Sequence, residues 1–382
     1  MTNGKARLPS RHATLLEVLS IPTAPFAEHQ AVDYIERFCA QRTHVKLARD
    51  AVGNVLVHVR RGRRTVSRPV CLAAHLDHPG FVADRMVSRR RVRAFWRGGV
   101  PKEYFVGSRV RFHVKGTWIP GRVRSIKTVL RRGQRRVDTA VIDVPNSVPR
   151  ASIGMWDFPD ARIRGTRVYA RACDDLAGAA AMLCCIDTLT RSKLDCDAFF
   201  LFTRAEEVGF VGAIAAARRK TIPGKCFIVA VEISSELPHA RMGDGPILRV
   251  GDRSSAFTSA VTAHCQRIAN TISKNDRSFK YQRRLMDGGT CESAAYCALG
   301  FEATGLCLAL GNYHNVNSKR KCLGSEYVDL NDFDNLIKWF VALARAGAPH
   351  AFTGRDETMY SLIKDIEREY NGMLRASSTA PL

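Results

Sequence analysis

The sequence has no apolar run that could cross a membrane. Nowhere in its 382 residues does an uninterrupted apolar stretch approach the roughly 18 residues that a membrane-spanning helix needs. Residues 1–16 include basic side chains but no continuous apolar segment before a small-residue cleavage site, so no signal peptide is predicted. We therefore expect a cytoplasmic protein that does not enter a membrane.

The sequence also has no pair of cysteines in a C-x-x-C arrangement. Its 12 cysteines are spread along the chain, mostly in apolar surroundings such as Met182-Leu183-Cys184-Cys185. Such cysteines behave as small reduced core residues. Neither a disulfide framework nor a zinc-thiolate site is expected.

Acidic residues are scarce relative to basic ones. The chain has 59 Lys and Arg against 36 Asp and Glu, a formal net charge of +23. Much of the excess falls between Arg85 and Arg171, with the runs Arg89-Arg90-Arg91 and Arg135-Arg136. Such a patch attracts acidic peptides, nucleic acid or an anionic surface, or is simply a solvated basic face. Aromatic residues for base stacking are sparse there, so nucleic acid is not an expected partner.

Apolar segments alternate with amphipathic ones over most of the chain, which predicts an α/β fold. Ala198 to Phe202 is apolar at every position and precedes the acidic pair Glu206-Glu207, which is typical of a strand buried on both faces of a parallel sheet. Val70 to Leu76 and Thr304 to Leu310 have the same character, and Ala260 to Ala263 is also predicted as a strand. Leu330 to Ala344 has helical periodicity.

The pattern changes between about Arg85 and about Gly165. Short alternating segments, such as Val87 to Phe95, are separated by Gly and Pro, which favours a small antiparallel barrel or sandwich. We expect residues 1–84 and 166–348 to form one catalytic α/β domain and residues 85–165 to be inserted in it as a basic, β-rich lid or dimerisation domain. Residues 349–382 are predicted as a C-terminal helix, over 356–374, and a flexible tail.

Several apolar segments are followed by side chains that bind metals. These are His75 and Asp77, Asp174, Glu206 and Glu207, Glu232, and His314. Ligands of α/β sheets bind at the carboxyl ends of the strands, so these side chains are expected to meet. Each has a structural alternative when taken alone, such as a helix N-cap for Asp174. Together they match the needs of two neighbouring divalent cations, which share one carboxylate and require a base that is not a ligand.

This hypothesis gives each residue a role. His75 and Glu232 bind the first cation, Glu207 and His314 bind the second, and Asp174 lies between them. Glu206 acts as the general base, and Asp77 accepts the second ring N–H of His75 and so fixes its tautomer. Zinc is the first expectation for the two ions, and cobalt or manganese would also suit histidine and carboxylate ligands.

The order of these motifs resembles that of the co-catalytic metallopeptidases, and within them the glutamyl, deblocking or tetrahedral aminopeptidases of metallopeptidase family forty-two. The stretches that carry the resemblance are AAHLDHPGF at Ala73 to Phe81, ARACDDLAG at Ala170 to Gly178, TRAEEVGFVGA at Thr203 to Ala213, and KYQRRLMDGGTCESAA at Lys280 to Ala295. The resemblance extends to about Ala344.

The resemblance implies a mixed, largely parallel sheet flanked by helices, with an inserted β-barrel lid. It implies a binuclear aminopeptidase that cleaves N-terminal residues from peptides and assembles as a homo-oligomer, from a dimer up to a dodecamer. The family's bridging carboxylate falls on Asp174, its base on Glu206, and its other ligands on His75, Glu207, Glu232 and His314. We expect the basic insertion to favour acidic peptides.

The sequence departs from the family pattern at four positions. Glu232 replaces the usual Asp, His78 replaces Glu, Leu176 replaces Arg, and Cys291 changes the GGTDA motif to GGTCE. Two alternatives therefore stay open. One is a related co-catalytic carboxypeptidase or amide deacylase, and the other is a basic anion- or nucleic-acid-binding protein with a decayed site.

Overall fold

The computed structural model describes residues 8–62, 68–131, 133–192, 194–349, 352 and 361–369. Its helices are α1 (Ser10–Leu19), α2 (His29–Ala40), α3 (Leu176–Arg191), α4 (Val211–Arg218), α5 (Ser259–Asn275), α6 (Glu292–Ala298) and α7 (Leu330–Ala346). Residues 361–369 are also helical, and the rest of the predicted C-terminal helix and tail lies outside the described residues. In the part of the chain that is described, no helix combines the length and apolar character of a membrane span.

The strands form one large sheet, two small ones and a barrel. The large sheet contains β1 (Val45–Arg49), β2 (Val55–Arg61), β3 (Val70–His75), β12 (Cys196–Thr203), β13 (Phe227–Ser235), β14 (Ile247–Asp252), β15 (Gln282–Met286) and β16 (Ala303–Leu310). The barrel contains β4 (Gly80–Ser88), β5 (Arg91–Arg97), β6 (Arg109–Val114), β7 (Thr117–Arg131), β8 (Gln134–Asp143) and β9 (Ile153–Trp156). The small sheets contain β10 (Arg162–Arg164), β11 (Arg167–Ala170) and β19 (Glu326–Asp329), and β17 (Val316–Asn317) and β18 (Cys322–Leu323).

The large sheet confirms the predicted α/β fold with a mostly parallel sheet. Its strand order is β1-β2-β12-β3-β13-β16-β14-β15. The central strands β12, β3, β13 and β16 run parallel to one another. Because the carboxyl ends of parallel strands meet at one edge, this order places the ends of β12, β3, β13 and β16 side by side.

Strand β3 shows why the central strands are apolar throughout. Val70, Leu72 and Ala74 pack into the core cluster that includes α3 and α7, whereas Cys71 and Ala73 pack into a second cluster with α4 and α6. Alternate residues of a strand point to opposite faces, so a strand covered by helices on both faces has no polar side.

Two of the predicted segments are wrong. Ala260 to Ala263 belong to the first turns of α5, because a short apolar run does not by itself distinguish a strand from a buried helix face. The predicted strand from Val87 to Phe95 crosses the turn at Arg89 and Arg90 that joins β4 to β5.

The basic insertion contains a closed six-stranded barrel with the order β4-β5-β8-β7-β6-β9. Its first strand begins at Gly80, only four residues after β3 ends. Its interior is built on a cluster of aromatic rings: Phe81, Trp96, Phe105, Phe112 and Trp156. Edge-to-face contacts of this kind stabilise a small core beyond the area that they bury. That residues 85–165 form a separate lid domain stays a prediction.

Gly154→Ala is expected to destabilise the barrel. Gly154 lies in β9 between Phe81 and Phe112, and a Cβ there would lie 2.6 Å from the Phe112 ring. Because both rings are buried, the added methyl group should cost about 1–3 kcal/mol of unfolding free energy. Differential scanning calorimetry should show a lower Tm. Gly224→Ala is the matched control, since no atom lies within 4 Å of a Cβ there, and an equal loss in both variants would contradict the packing argument.

Candidate metal centre

The sequence-predicted site residues converge at the carboxyl edge of the large sheet. His75 ends β3, Glu206 and Glu207 follow β12, and His314 lies in a short 3-10 helix after β16. Two positions differ from the sequence interpretation. Glu232 lies within β13, which continues to Ser235. The strand before Asp174 is β11, which belongs to a small sheet with β10 and β19.

The side chains form two groups of possible metal ligands. His75, Glu206 and Glu232 form one group, and Asp174, Glu207 and His314 form the other. Within each group the ligand atoms lie within 4.8 Å of one another, a spacing that a single cation can bridge.

Asp174 lies between the two groups. Its Oδ1 is 3.4 Å from Nε2 of His75, and its Oδ2 is 3.7 Å from Nε2 of His314. Nε2 of His314 is in turn 3.0 Å from Oε1 of Glu207. One carboxylate therefore presents one oxygen to each histidine, which is the arrangement that a bridging ligand requires.

Hydrogen bonds fix the tautomers of both histidines. The Nδ1–H of His75 donates to the carbonyl oxygen of Asp77 at 3.0 Å, and the Nδ1–H of His314 donates to that of Gly99 at 2.8 Å. Carbonyl oxygens only accept, so each Nε2 is left with its lone pair. A metal-binding histidine usually has its second nitrogen held in this way.

Four of the buried side-chain atoms that have no hydrogen bond of acceptable geometry to any described residue are candidate ligand atoms of this centre. They are Nε2 of His75, Nε2 of His314, Oδ1 of Asp174 and Oε1 of Glu207. Buried polar atoms are normally paired, because leaving them unpaired costs about 1–3 kcal/mol each. Their nitrogen and carboxylate chemistry fits a pair of divalent cations.

The electrostatics of the centre favour added positive charge. Burial opposes a charge on His75, but Glu206 and Asp174 outweigh it and raise the pKa of His75 well above its usual range. Burial raises the pKa of Glu232 to about 7 and that of Glu206 well above its usual range. Protons and cations compete for the same ligand atoms, so a divalent cation would relieve the same excess of negative charge.

Asp77 makes different contacts from those expected. Its carboxylate Oδ1 lies 3.6 Å from Nδ1 of His75, farther than the backbone carbonyl that accepts the ring N–H. The carboxylate instead accepts the backbone N–H groups of Glu206 at 2.9 Å and Glu207 at 3.0 Å. Asp77 therefore links the strand that carries His75 to the loop that carries both glutamates.

Glu28, at the start of α2, holds the same loop from the other side, and the sequence interpretation missed it. Its buried carboxylate accepts the backbone N–H of Ala205 at 3.0 Å and Nε–H of Arg204 at 2.8 Å. Ala205 has a φ of 55°, a left-handed conformation that is uncommon outside glycine and needs support from its surroundings. No local pattern around Glu28 connects it to residues 176 positions away.

Glu326 and Asp175 were also missed. Oε2 of Glu326 accepts the backbone N–H groups of Cys173 at 2.7 Å and Asp174 at 3.2 Å. Oδ2 of Asp175 accepts the backbone N–H of His75 at 3.2 Å. Both carboxylates therefore hold the backbone of proposed ligands. Glu326 is a lone acidic residue in a short strand, which gives no sequence signal for such a role. Asp175 belongs to the pair Asp174-Asp175, but the pair does not show which backbone group it holds.

The remaining departures from the family pattern are buried. His78 contacts the carbonyl oxygen of Asp174 at 2.8 Å and Oδ1 of Asn315 at 3.1 Å. Leu176 packs in the main core at the start of α3. Cys291 is buried, and its backbone N–H donates to Asp252. None of the three replaces a member of the two ligand groups.

A cavity of about 480 Å³ opens onto the centre. Four of the five proposed ligands line it, together with three arginines. The ligands are Asp174, Glu207, Glu232 and His314, and the arginines are Arg136, Arg249 and Arg253. Gly99 and Arg136 come from the barrel, so the insertion forms part of the cavity wall.

Glu28→Gln is expected to lower kcat about 10- to 100-fold, corresponding to the loss of a hydrogen bond to a charged group. The amide would present N–H groups where Arg204 needs an acceptor, which would move the loop that carries Glu206. Steady-state kinetics should show the loss in kcat with little change in KM or in bound metal. Glu36→Gln, an exposed change on the same helix, is the control. Loss of bound metal in Glu28→Gln would contradict a purely positioning role.

Comparisons with known proteins agree with this geometry. The family model of the M42 glutamyl aminopeptidases matches residues 53–324. A curated protein of Acetivibrio thermocellus, named "Putative aminopeptidase", is 27% identical over 215 residues, which cover 54% of this chain and 63% of that protein. The match thus spans less than two thirds of that relative's length.

Solved structures share the fold. An aminopeptidase from the archaeon Desulfurococcus kamchatkensis superposes with a TM-score of 0.73 at 21% identity, covering 90% of this chain and 97% of that one. The TET1 peptidase of Pyrococcus horikoshii superposes with a TM-score of 0.69 at 21% identity, covering 87% of this chain and 99% of that one. That peptidase is described as able to assemble into a tetrahedron or a large octahedral shell. The family match covers most of the chain, and the chain therefore belongs to the M42 glutamyl aminopeptidase family.

Proposed function

We propose that this protein is a binuclear metal-dependent aminopeptidase that removes N-terminal residues from peptides. The observation that carries the proposal is the pair of adjacent ligand groups. Asp174 of one group lies 3.4 Å from Nε2 of His75 in the other, and four of the donor atoms are buried without a hydrogen bond to any described residue. His75 and Glu232 would hold one cation, Glu207 and His314 the other, and Asp174 would bridge them. Zinc fits these ligands, as do cobalt and manganese.

Glu206 is the proposed general base. Two bound cations would supply Lewis acidity, polarising the peptide carbonyl and making a water molecule more acidic. Glu206 accepts the proton of the attacking water and passes it to the nitrogen that leaves when the C–N bond breaks. Asp77 accepts the backbone N–H of Glu206, and Glu28 accepts that of the preceding residue, Ala205, so the loop is held in place during this transfer. Burial raises the pKa of Glu206, which favours its taking up a proton.

A panel of peptides tests the reaction. Protein loaded with zinc, cobalt or manganese is incubated with a free peptide, the same peptide acetylated at its N-terminus, and the same peptide amidated at its C-terminus. An aminopeptidase cleaves the first and third and spares the second. Cleavage that needs a free carboxyl end would indicate a carboxypeptidase, and removal of only the acetyl group would indicate a deacylase.

Metal analysis tests the remaining alternative, a basic anion- or nucleic-acid-binding protein with a decayed site. We expect about two divalent ions per chain after loading and desalting, as in other co-catalytic sites. A decayed site would retain no stoichiometric metal and would cleave no member of the panel.

We further propose that the barrel acts as a lid and that acidic N-terminal residues are favoured. The three cavity arginines support this preference, and Arg253 is exposed at the end of β14. Replacing Arg253 with Gln should lower kcat/KM for a glutamyl peptide about fivefold, as expected for a solvent-exposed ion pair. The kcat/KM for a leucyl peptide should be unchanged in the same variant. Equal kcat/KM values for glutamyl and leucyl peptides in the unmodified protein at low salt would contradict the preference.

A homo-oligomer is also proposed, because one structural relative is described as a dodecamer in the asymmetric unit. Multi-angle light scattering distinguishes a dimer from a dodecamer. The cytoplasmic location stays a prediction.

A further inference from the structure

The barrel carries a row of arginines that its own sheet does not neutralise. Strand register places Arg109 of β6 opposite Arg122 of β7, Arg122 opposite Asp143 of β8, and Asp143 opposite Arg91 of β5. Directly opposed residues share one face of a sheet, and like charges in such a pair are destabilising. The Arg109–Arg122 pair therefore creates a repulsion that the fold tolerates.

These residues line a groove of about 880 Å³ on the barrel surface. We call it the arginine groove; its charged residues are Arg90, Arg91, Arg109, Arg122, Arg124 and Asp143. Asp143 contacts Arg91 at 3.1 Å and Arg124 at 3.5 Å, and Arg109 pairs with Asp157 beside the groove at 2.6 Å. These exposed ion pairs are weak. Two carboxylates against five guanidinium groups leave the groove with a positive charge.

The charge of the whole barrel has the same sign. Residues 80–156 contain 18 Lys and Arg, of which 15 are Arg, against 4 Asp and Glu. This segment is about a fifth of the chain and carries more than half of the net charge of +23. Arginine is the cation best suited to phosphate, because its planar fork donates two parallel hydrogen bonds.

The arginine groove is separate from the metal centre. Along β8, Arg136 lines the metal-centre cavity, whereas Asp143, seven residues later, lies in the groove. At about 3.3 Å per strand residue this is a separation of about 20 Å or more. A dipeptide or tripeptide bound at the metal centre would not reach the groove.

We propose that the arginine groove binds the phosphate backbone of a nucleic acid without reading its sequence. The row crosses four strands spaced about 4.8 Å apart, so it is about 14 Å wide. Duplex DNA presents about eight phosphate charges over that length. No aromatic residue is among the described residues that line the groove, so base stacking has no part in the contact. In the sequence, the scarcity of aromatic residues argued against a nucleic-acid partner. That argument applies to base stacking and does not apply to contacts with the phosphate backbone.

Charge complementarity disfavours a second copy of this chain as the occupant. Outside residues 80–156 the sequence has 41 Lys and Arg against 32 Asp and Glu, so the rest of the molecule is also basic.

The test is fluorescence anisotropy with labelled DNA duplexes of about 20 base pairs in two unrelated sequences, between about 50 and 200 mM salt. The groove variant carries Arg91→Gln, Arg109→Gln, Arg122→Gln and Arg124→Gln. The control variant removes four exposed charges from the α/β domain through Arg37→Gln, Arg60→Gln, Arg218→Gln and Arg219→Gln. Cleavage of a short neutral peptide by both variants shows that they are folded.

We expect both duplexes to bind the unmodified protein equally. The groove variant should bind at least tenfold more weakly, and its slope of log affinity against log salt should be shallower by about 3. The control variant should lose much less affinity. An equal loss in the two variants, no binding at the lowest salt, or binding of phosphatidylserine vesicles or inorganic polyphosphate but not of DNA would each overturn the proposal.

Discussion

Glu206→Gln is expected to lower kcat by about 10²- to 10⁴-fold, the usual contribution of a general base. The amide has nearly the same shape as the carboxylate but cannot take a proton. The backbone N–H of Glu206 still donates to Asp77, so the loop should keep its conformation. Glu206 is not one of the five proposed ligands, so bound metal should stay at about two ions per chain.

Kinetics and metal analysis of the same protein sample check this result. Glu103→Gln, an exposed change in the barrel, is the control and should leave both measurements unchanged. If Glu206→Gln loses metal together with activity, Glu206 is a ligand, as its distance of 3.9 Å from Nε2 of His75 would then imply. If it keeps full activity, another residue moves the proton.

Asp174→Asn is expected to have the second large effect, the loss of both activity and metal. The two oxygens of Asp174 face different histidines, and an amide offers only one oxygen, without the negative charge. We expect bound metal to fall to about one ion per chain or fewer and kcat/KM to fall by at least about 10³-fold, because both cations contribute to the reaction.

Mass spectrometry under native conditions measures the bound ions, and peptide hydrolysis measures kcat/KM. The matched control is Asp244→Asn, a change at an exposed position. Thermal unfolding with added zinc gives a further readout, since a ligand bound only to the folded state raises Tm. Zinc should raise the Tm of the unmodified protein more than that of Asp174→Asn, and two ions retained by the variant would refute a bridging role.

The sequence predicted the residues that follow buried strands well. His75, Glu206 and His314 follow segments whose apolar character is visible residue by residue, and parallel pairing brings those segments together. The order of the strands in the sheet could not be read in this way. It depends on long-range pairing, as between β3 and β13.

The supporting carboxylates could not be predicted for a related reason. Glu28 and Glu326 accept hydrogen bonds from backbone N–H groups of residues far along the chain. Nearly every residue has a backbone N–H, so the sequence does not show which one is the donor. The hydrogen bond between His314 and Gly99 is equally invisible, because any residue could supply that carbonyl. The sequence thus indicates which side chains gather at the edge of the sheet, but not the contacts that orient them.

The contact between Gly99 and His314 has a consequence for any shortened form of the protein that lacks the barrel. The backbone carbonyl of Gly99, in the barrel insertion, accepts the Nδ1–H of His314 and so leaves Nε2 as the unprotonated nitrogen of the neutral ring. A shortened protein that kept the sheet but had the barrel excised would free that ring to rotate and to take up the other protonation pattern. Removing the insertion would therefore also remove the hydrogen bond that fixes the tautomer of a proposed metal ligand.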